Sequence, residues 1–121
     1  MNTDHVTVVY KWTAHPGKLD ELTDIYRDVT AAMEQSEPGA EAVHVYVSEV
    51  DNALYVRDEF ADAGAVGFHL QSTAAAHFPH LLAVATPGPF FFMGDVPDEM
   101  KAATGQMQLG AEFSTHAAGF D

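Results

Sequence analysis

Two segments of alternating apolar and polar side chains, separated by a short polar turn, limit the folds open to this chain more than any other feature. The alternation runs through Ala42–Val50 and again through Ala53–Phe60. Asp51 and Asn52 between them suit a two-residue turn that joins paired strands. The pattern therefore predicts a β-hairpin in which Val50 faces Ala53.

Counting back from this turn divides the side chains of the hairpin between two faces. Asp58 falls opposite Val45 on a face that is otherwise apolar. His44 falls opposite Glu59 on the other face, which also carries Tyr46. Burial would raise the pKa of Asp58 unless a cation pairs with it. We expect the first face to carry Asp58 into the interior and the second to line a pocket or an interface.

The remaining segments place the hairpin in a β-α-β-β-α-β order. β-branched and aromatic residues indicate strands at 6–13 and 90–93, and the latter, Phe-Phe-Phe-Met, is expected to be buried on both faces. Apolar residues at three- and four-residue spacing indicate helices at 19–33, 63–71 and 73–84. This order predicts an α+β fold of the ferredoxin-like type with an antiparallel sheet.

A short extension follows this core. Residues 97–106 are expected to form a helix, and residues 109–120 an irregular or short extended tail. The chain is thus interpreted as a single domain over 1–121, with a core of about 5–95 and an extension of about 96–121. The tail is expected to pack on the body or on a partner subunit through three apolar residues, Leu109, Phe113 and Phe120.

The composition excludes several classes of function. The chain has 18 acidic residues against 5 Lys and Arg, a formal net charge of -13, so binding to nucleic acid or to an anionic membrane surface is not expected. The absence of cysteine excludes disulfides and thiolate catalysis. Neither a signal peptide nor an apolar run of about 18 residues is evident. We expect a cytoplasmic protein.

Two histidines on the helix predicted at 73–84, His77 and His80, have the three-residue spacing of helical metal ligands. No third ligand accompanies them, and Pro79 disturbs the helix between them. The chain also lacks a glycine-rich loop after a strand that would hold nucleotide phosphates. We therefore predict neither a metal nor a cofactor.

Several short motifs in a fixed order link the sequence to a known family. They are His15-Pro16-Gly17-Lys18, Glu37-Pro38-Gly39, Asp58-Glu59-Phe60-Ala61-Asp62, His69-Leu70-Gln71-Ser72 and His77-Phe78. With these motifs the sequence resembles the antibiotic biosynthesis monooxygenase (ABM) domains of the dimeric α+β barrel superfamily. The resemblance implies a homodimer whose two sheets meet as a barrel, with a pocket between each sheet and its helices.

The resemblance also implies a reaction. Several relatives oxidise phenols or quinols with molecular oxygen and without flavin or metal, whereas others degrade haem or isomerise small molecules. His69 is then the candidate base that removes a proton from a small aromatic or quinol-type substrate, helped by Asp58. The side chains expected to line the substrate pocket are Trp12, His44, Tyr46, His77 and Phe91.

Three alternatives stay open at this point. His69 is also interpretable as a structural histidine at the edge of the core, and Asp58 as a structural acid that caps the following helix. The scaffold equally supports a non-oxidative isomerase or lyase. It also supports a non-catalytic module that binds small molecules or acts in a stress response.

Overall fold

Helices cover one face of a mixed five-stranded sheet in the computed structural model, which describes residues 4–121. The elements in chain order are β1 (Val6–Ala14), α1 (Leu19–Ser36), β2 (Ala40–Ser48), β3 (Ala53–Phe60), α2 (Ala63–Gln71), α3 (Thr73–Val84), β4 (Ala85–Met93), α4 (Asp98–Gln106) and β5 (Ala111–Ser114). Across the described residues, each helix is too short or too polar to span a membrane.

The strands lie in the order β2-β3-β1-β4-β5. Strands β2, β3, β1 and β4 pair with one another in antiparallel fashion, whereas the edge strand β5 pairs with β4 in parallel. The first strand of the chain is thus the central one, with β3 on one side and β4 on the other. This arrangement confirms the predicted α+β fold of the ferredoxin-like type and adds a parallel edge strand to it.

The core lies between the sheet and the helices because buried side chains alternate along β1 and recur at helical spacing along α1. Four residues of α1 are buried: Leu22, Tyr26, Val29 and Met33. Five alternate residues of β1 face them: Val6, Val8, Tyr10, Trp12 and Ala14. Sequence periodicity alone therefore places Tyr10, Trp12 and Tyr26 inside the molecule.

The hairpin between β2 and β3 differs in its turn from the prediction. Ser48, not Val50, lies opposite Ala53, so the loop has four residues and the predicted two-residue turn is wrong. The Asp51 N–H donates to Ser48 Oγ at 3.1 Å, and the Asn52 side chain donates to a carbonyl of β1 at 2.9 Å. Asn52 also adopts a φ of 53°, which asparagine tolerates better than most residues. These local contacts stabilise the longer loop.

The register consequently moves by two residues, an even number, and every side chain stays on its predicted face. Asp58 still points into the interior, but its neighbour on β2 is Val43. His44 lies opposite Arg57, so the predicted pairing of His44 with Glu59 is wrong.

The fourth strand is longer than predicted and is not buried on both faces. It begins at Ala85, directly after α3, and contains the cis peptide bond between Gly88 and Pro89. Phe90 and Phe92 point into the core, whereas Phe91 is exposed on the outer face. Sequence periodicity could not reveal this alternation because the side chains on both faces are apolar.

The extension packs on the body of the domain, as predicted. Leu109 is buried, and the ring of Phe113 stacks on Phe92 with centroids 5.2 Å apart. Phe120 is 95% exposed, so it does not pack on the body, and its packing on a partner subunit stays a prediction.

Candidate active site

A cavity of about 40 Å³, counted as the space open to water-sized molecules, lies between the inner face of the sheet and the helices α2 and α3. This space is several times the minimum for one buried water molecule. Its walls are mostly aromatic and aliphatic. The polar side chains that reach it are Tyr10, Trp12, Tyr26, Asp58, His69 and His77.

His69 is anchored by a buried carboxylate. It lies in the last turn of α2, and its Nδ1 is 2.9 Å from Oε2 and 3.2 Å from Oε1 of Glu37. Glu37 follows α1 directly and is only 4% exposed. A carboxylate accepts the Nδ1–H, which leaves the lone pair on Nε2. Within residues 4–121, Nε2 of His69 has no hydrogen-bond partner.

Glu37 is ionised in this arrangement. Burial acts to raise the pKa of Glu37, but the hydrogen bond from His69 and the nearby Thr73 side chain outweigh it, and the pKa lies below its ordinary value. The hydrogen bond places the negative charge of Glu37 directly beside the imidazole ring of His69. The pair can therefore hold a proton that His69 has accepted through Nε2.

Asp58 is the second acid at the cavity and is 1% exposed. Its Oδ2 accepts a hydrogen bond from Tyr10 Oη at 2.8 Å, and Tyr10 Oη accepts one from Tyr26 Oη at 3.2 Å. Burial raises the pKa of Asp58 from 3.8 to about 6, although the charge of His69 and the hydrogen bond from Tyr10 oppose that rise. Asp58 can thus gain or lose a proton near neutral pH.

Tyr10 and Tyr26 keep their protons. Burial, followed by the charge of Asp58, raises the pKa of both phenols well above the ordinary value. They serve as hydrogen-bond donors in a chain that ends on the Asp58 carboxyl group.

Among the residues that the structure describes, two buried polar atoms at this cavity lack hydrogen bonds. They are Oδ1 of Asp58 and Nε1 of Trp12, which lies near Tyr26 but outside hydrogen-bonding geometry. Phe78 and Phe90 pack edge-on against the indole of Trp12, with centroids 6.0 and 6.3 Å away. Unpaired polar atoms are uncommon in protein interiors, because each costs free energy unless water or a ligand pairs with it.

The structure brings together four of the seven predicted site residues: Trp12, Asp58, His69 and His77. Nδ1 of His77 lies 2.9 Å from the carbonyl of Thr73, so this ring is held at the cavity by its own helix. His69 and Asp58 line the same cavity without a hydrogen bond between them. The direct His69–Asp58 pairing suggested by the sequence is therefore replaced by two pairs, with Glu37 and with Tyr10.

The other three predicted residues do not line this cavity, and their part in substrate binding stays a prediction. His44 and Tyr46 alternate with the inward-facing valines of β2 and lie on the outer face of the sheet. Phe91 lies on the same outer face, between the inward-facing Phe90 and Phe92. The cause is the two-residue period of a strand, which sends neighbouring side chains to opposite faces.

Glu37 was not predicted as a site residue, because the Glu37-Pro38-Gly39 motif was interpreted only as one of the motifs shared with the ABM family. A signal was nevertheless present in the sequence. Glu37 follows Met33 by four residues and so continues the buried stripe of α1. An acid on such a stripe needs a buried partner.

In residues 4–121, no group of three or more His, Asp or Glu side chains is arranged to hold a metal ion.

The sequence profile described as antibiotic biosynthesis monooxygenase (ABM) matches residues 5–81, which is more than half of the chain. The chain belongs to the ABM family. No protein of curated function matches it.

Two solved structures illustrate what this ABM chain is similar to. MupZ from Pseudomonas fluorescens is 15% identical with a TM-score of 0.76, and the match covers 97% of this chain and 93% of MupZ. SnoaB from Streptomyces nogalater, a cofactor-independent oxygenase, is 22% identical with a TM-score of 0.66, and the match covers 78% of this chain and 95% of SnoaB. At sequence identities this low, the comparison shows a shared fold and nothing beyond it.

Proposed function

We propose that this ABM chain is a cofactor-independent monooxygenase that acts on a small aromatic or quinol-type substrate. The observation that carries the proposal is the buried His69–Glu37 pair at an aromatic cavity. Membership of the ABM family and the similarity to SnoaB, a cofactor-independent oxygenase, support the same class of reaction.

His69 supplies the base. Glu37 holds the Nδ1–H, so Nε2 removes a proton from the substrate, and the resulting imidazolium is stabilised by the Glu37 carboxylate. The substrate carbanion then reacts with molecular oxygen to form a carbon–oxygen bond. For a ring CH₂ group, loss of water from the peroxide gives a carbonyl group, so that one oxygen atom enters the product and the other leaves as water.

Asp58 and Trp12 hold the polar end of the substrate. The free Oδ1 of Asp58 and the free Nε1–H of Trp12 need partners inside an otherwise apolar cavity. A hydroxyl group or carbonyl oxygen on an aromatic ring of the substrate would form hydrogen bonds with these two groups. In its protonated form Asp58 donates to the oxygen on which negative charge develops after deprotonation.

The test is oxygen uptake with 1,4-dihydroxynaphthalene, corrected for its spontaneous oxidation. We expect His69→Ala to lower kcat/KM by about 100-fold or more, the usual contribution of a general base. Glu37→Gln should lower kcat more than it raises KM, because Glu37 acts through His69. His80→Ala, at an exposed histidine of α3, is the matched control. Unchanged oxygen uptake by His69→Ala would refute the proposal.

A non-oxidative isomerase or lyase is the second candidate. An acid of raised pKa, Asp58, and a base, His69, line one cavity, and such a pair is sufficient for proton transfer without oxygen. Turnover that persists under nitrogen, with uptake of solvent deuterium into the product, would favour this candidate. Ligand binding without any turnover would favour the non-catalytic alternative.

We also propose that the working unit is a homodimer. The outer face of the sheet carries exposed apolar side chains, among them Tyr46 at 57% and Phe91 at 40% exposure. A second copy of the sheet would cover them, as the dimeric α+β barrel requires. His44, Tyr46 and Phe91 would then contribute to the dimer interface and not to the cavity.

A further inference from the structure

Part of the cavity lining comes from outside the residues that match the ABM profile. The match ends at residue 81, whereas Met107 and Leu109 line the cavity from the segment between α4 and β5. Leu109 is fully buried and Met107 is half-buried. We call these two residues the end wall.

The end wall is fixed to the sheet on one side. Phe90 donates its backbone N–H to the carbonyl of Gly110 at 3.2 Å, and Gly94 donates to the carbonyl of Ser114 at 2.9 Å. The carbonyl oxygen of Leu109 lies against Gly88, where a Cβ would be only 2.7 Å away. The backbone of the end wall therefore sits in direct contact with β4, and its position is determined by the sheet.

The extension is fixed on the other side to the helix that carries His69. The methyl group of Met100, on α4, approaches Gly67 so closely that a Cβ there would lie at 3.2 Å. Gly67 precedes His69 by two residues on α2. The extension thus bridges β4 and α2, which form opposite walls of the cavity.

A tight bend directs the end wall inward. Gln108 has a φ of 57° and Gly110 a φ of 63°, so left-handed residues lie on both sides of Leu109. Both residues lie in the short connection between α4 and β5, where glycine or a residue that tolerates positive φ is needed. The Met107 and Leu109 side chains both reach the cavity as a result.

We propose that Met107 and Leu109 determine the length of the ligand that the cavity accepts. The inference rests on the proposed function only in taking this cavity as the ligand site. Leu109 contributes a buried part of the cavity wall, and Met107, a half-buried unbranched side chain, contributes a part that reaches solvent and would limit how far a planar ligand extends toward the surface. The ligand class is a planar oxygenated aromatic molecule of limited ring number.

The test is equilibrium binding of 1,4-naphthoquinone, with two rings, and 1,4-anthraquinone, with three. Trp12 reports binding, because it is the only tryptophan in the chain and it lines the cavity. Quinones quench its emission, and the chain has no cysteine thiol to which they could add. The wild-type chain should bind the two-ring quinone about tenfold or more tightly than the three-ring quinone, since a filled apolar wall discriminates by about that factor.

Met107→Ala should reduce or reverse this preference, and Met107→Phe should increase it. Met93→Ala, at a methionine exposed on the outer face of the sheet, is the matched control and should leave the preference unchanged. Leu109→Ala should act like Met107→Ala. Because Leu109 is buried, circular dichroism checks that the Leu109→Ala variant folds. If that variant unfolds, the variants at the half-buried Met107 still test the inference.

Two results would overturn the inference, and they are distinguishable. The same preference in wild type, Met107→Ala and Met107→Phe would show that the end wall does not set ligand length, while the cavity remains the ligand site. Quenching of Trp12 by neither quinone in any variant would remove the cavity as a site for this ligand class, and the proposed function would fall with it.

Discussion

Replacing Asp58 by asparagine should stabilise the protein progressively as the pH rises. The amide side chain would keep an oxygen that accepts the hydrogen bond from Tyr10, but it carries no charge to bury. The folded-state pKa of Asp58, about 6, lies above its ordinary value of 3.8, and burial is the main cause. The stabilisation that wild-type Asp58 contributes is therefore fully present below pH 3.8, and it is lost as the pH rises through about 6.

The size of the effect follows from these two values. Between pH 3.8 and about 6 the unfolded chain has lost the proton that the folded chain keeps, so wild-type stability falls by about 1.4 kcal/mol per pH unit. The full loss is about 3 kcal/mol. Between pH 5 and pH 8 the advantage of Asp58→Asn should grow by about 1.4 kcal/mol, most of it below pH 6.

The assay is urea unfolding of both proteins at half-unit intervals from pH 5 to pH 8, followed by Trp12 fluorescence. This range stays above the sequence pI of about 4.6, where an uncharged chain would precipitate. Asp28→Asn, at an exposed acid of α1, is the control that assigns the pH dependence to the buried position. A difference between wild type and Asp58→Asn that stays constant, or shrinks as the pH rises, would refute the reasoning.

Three further predictions concern other parts of the fold. A Cβ on Gly39 would lie 2.5 Å from the Cβ of Ala65, so Gly39→Ala should lower the free energy of unfolding by about 1–3 kcal/mol in urea titrations. The hydrogen bond from His5 to Glu59, at 2.8 Å, raises the pKa of His5, so His5→Gln should reduce the thermal midpoint more at pH 6 than at pH 9. Phe91→Glu on the outer face should yield a monomer at micromolar concentration by light scattering, whereas the wild type should have the mass of a dimer.

Most of the fold could be predicted from local periodicity. The bounds of β3 and the division of its side chains between two faces needed only the alternation of the sequence. The length of the loop before β3 could not be predicted. The hydrogen bonds of Ser48 and Asn52 favour a loop of four residues over one of two, and the bond from Asn52 reaches β1, which is distant in sequence. The parallel pairing of β5 also escaped prediction, since a four-residue strand has too weak a pattern.

The site could be predicted only in part. His69 and Asp58 were found because titratable groups on apolar faces stand out in a sequence. Their partners Glu37 and Tyr10 lie 32 and 48 residues away along the chain, and no local pattern predicts such pairings. Phe91 was misplaced because its neighbours on both sides are also phenylalanine.

The central position of β1 has a consequence for how this protein is made. This strand is synthesised before the strands that pair with it, so Val6 must wait for Phe60, and Val8 for Phe92, before both of its edges are paired. Partners so far apart in sequence make folding slower than in a chain with mostly local contacts. The chain loses the conformational entropy of closing a long loop before the strand contacts stabilise it. Until β4 has been synthesised, an apolar strand with an open edge is available to other chains. A newly made chain is therefore most open to pairing with other chains before β4 is complete, at a stage when the cavity does not yet exist.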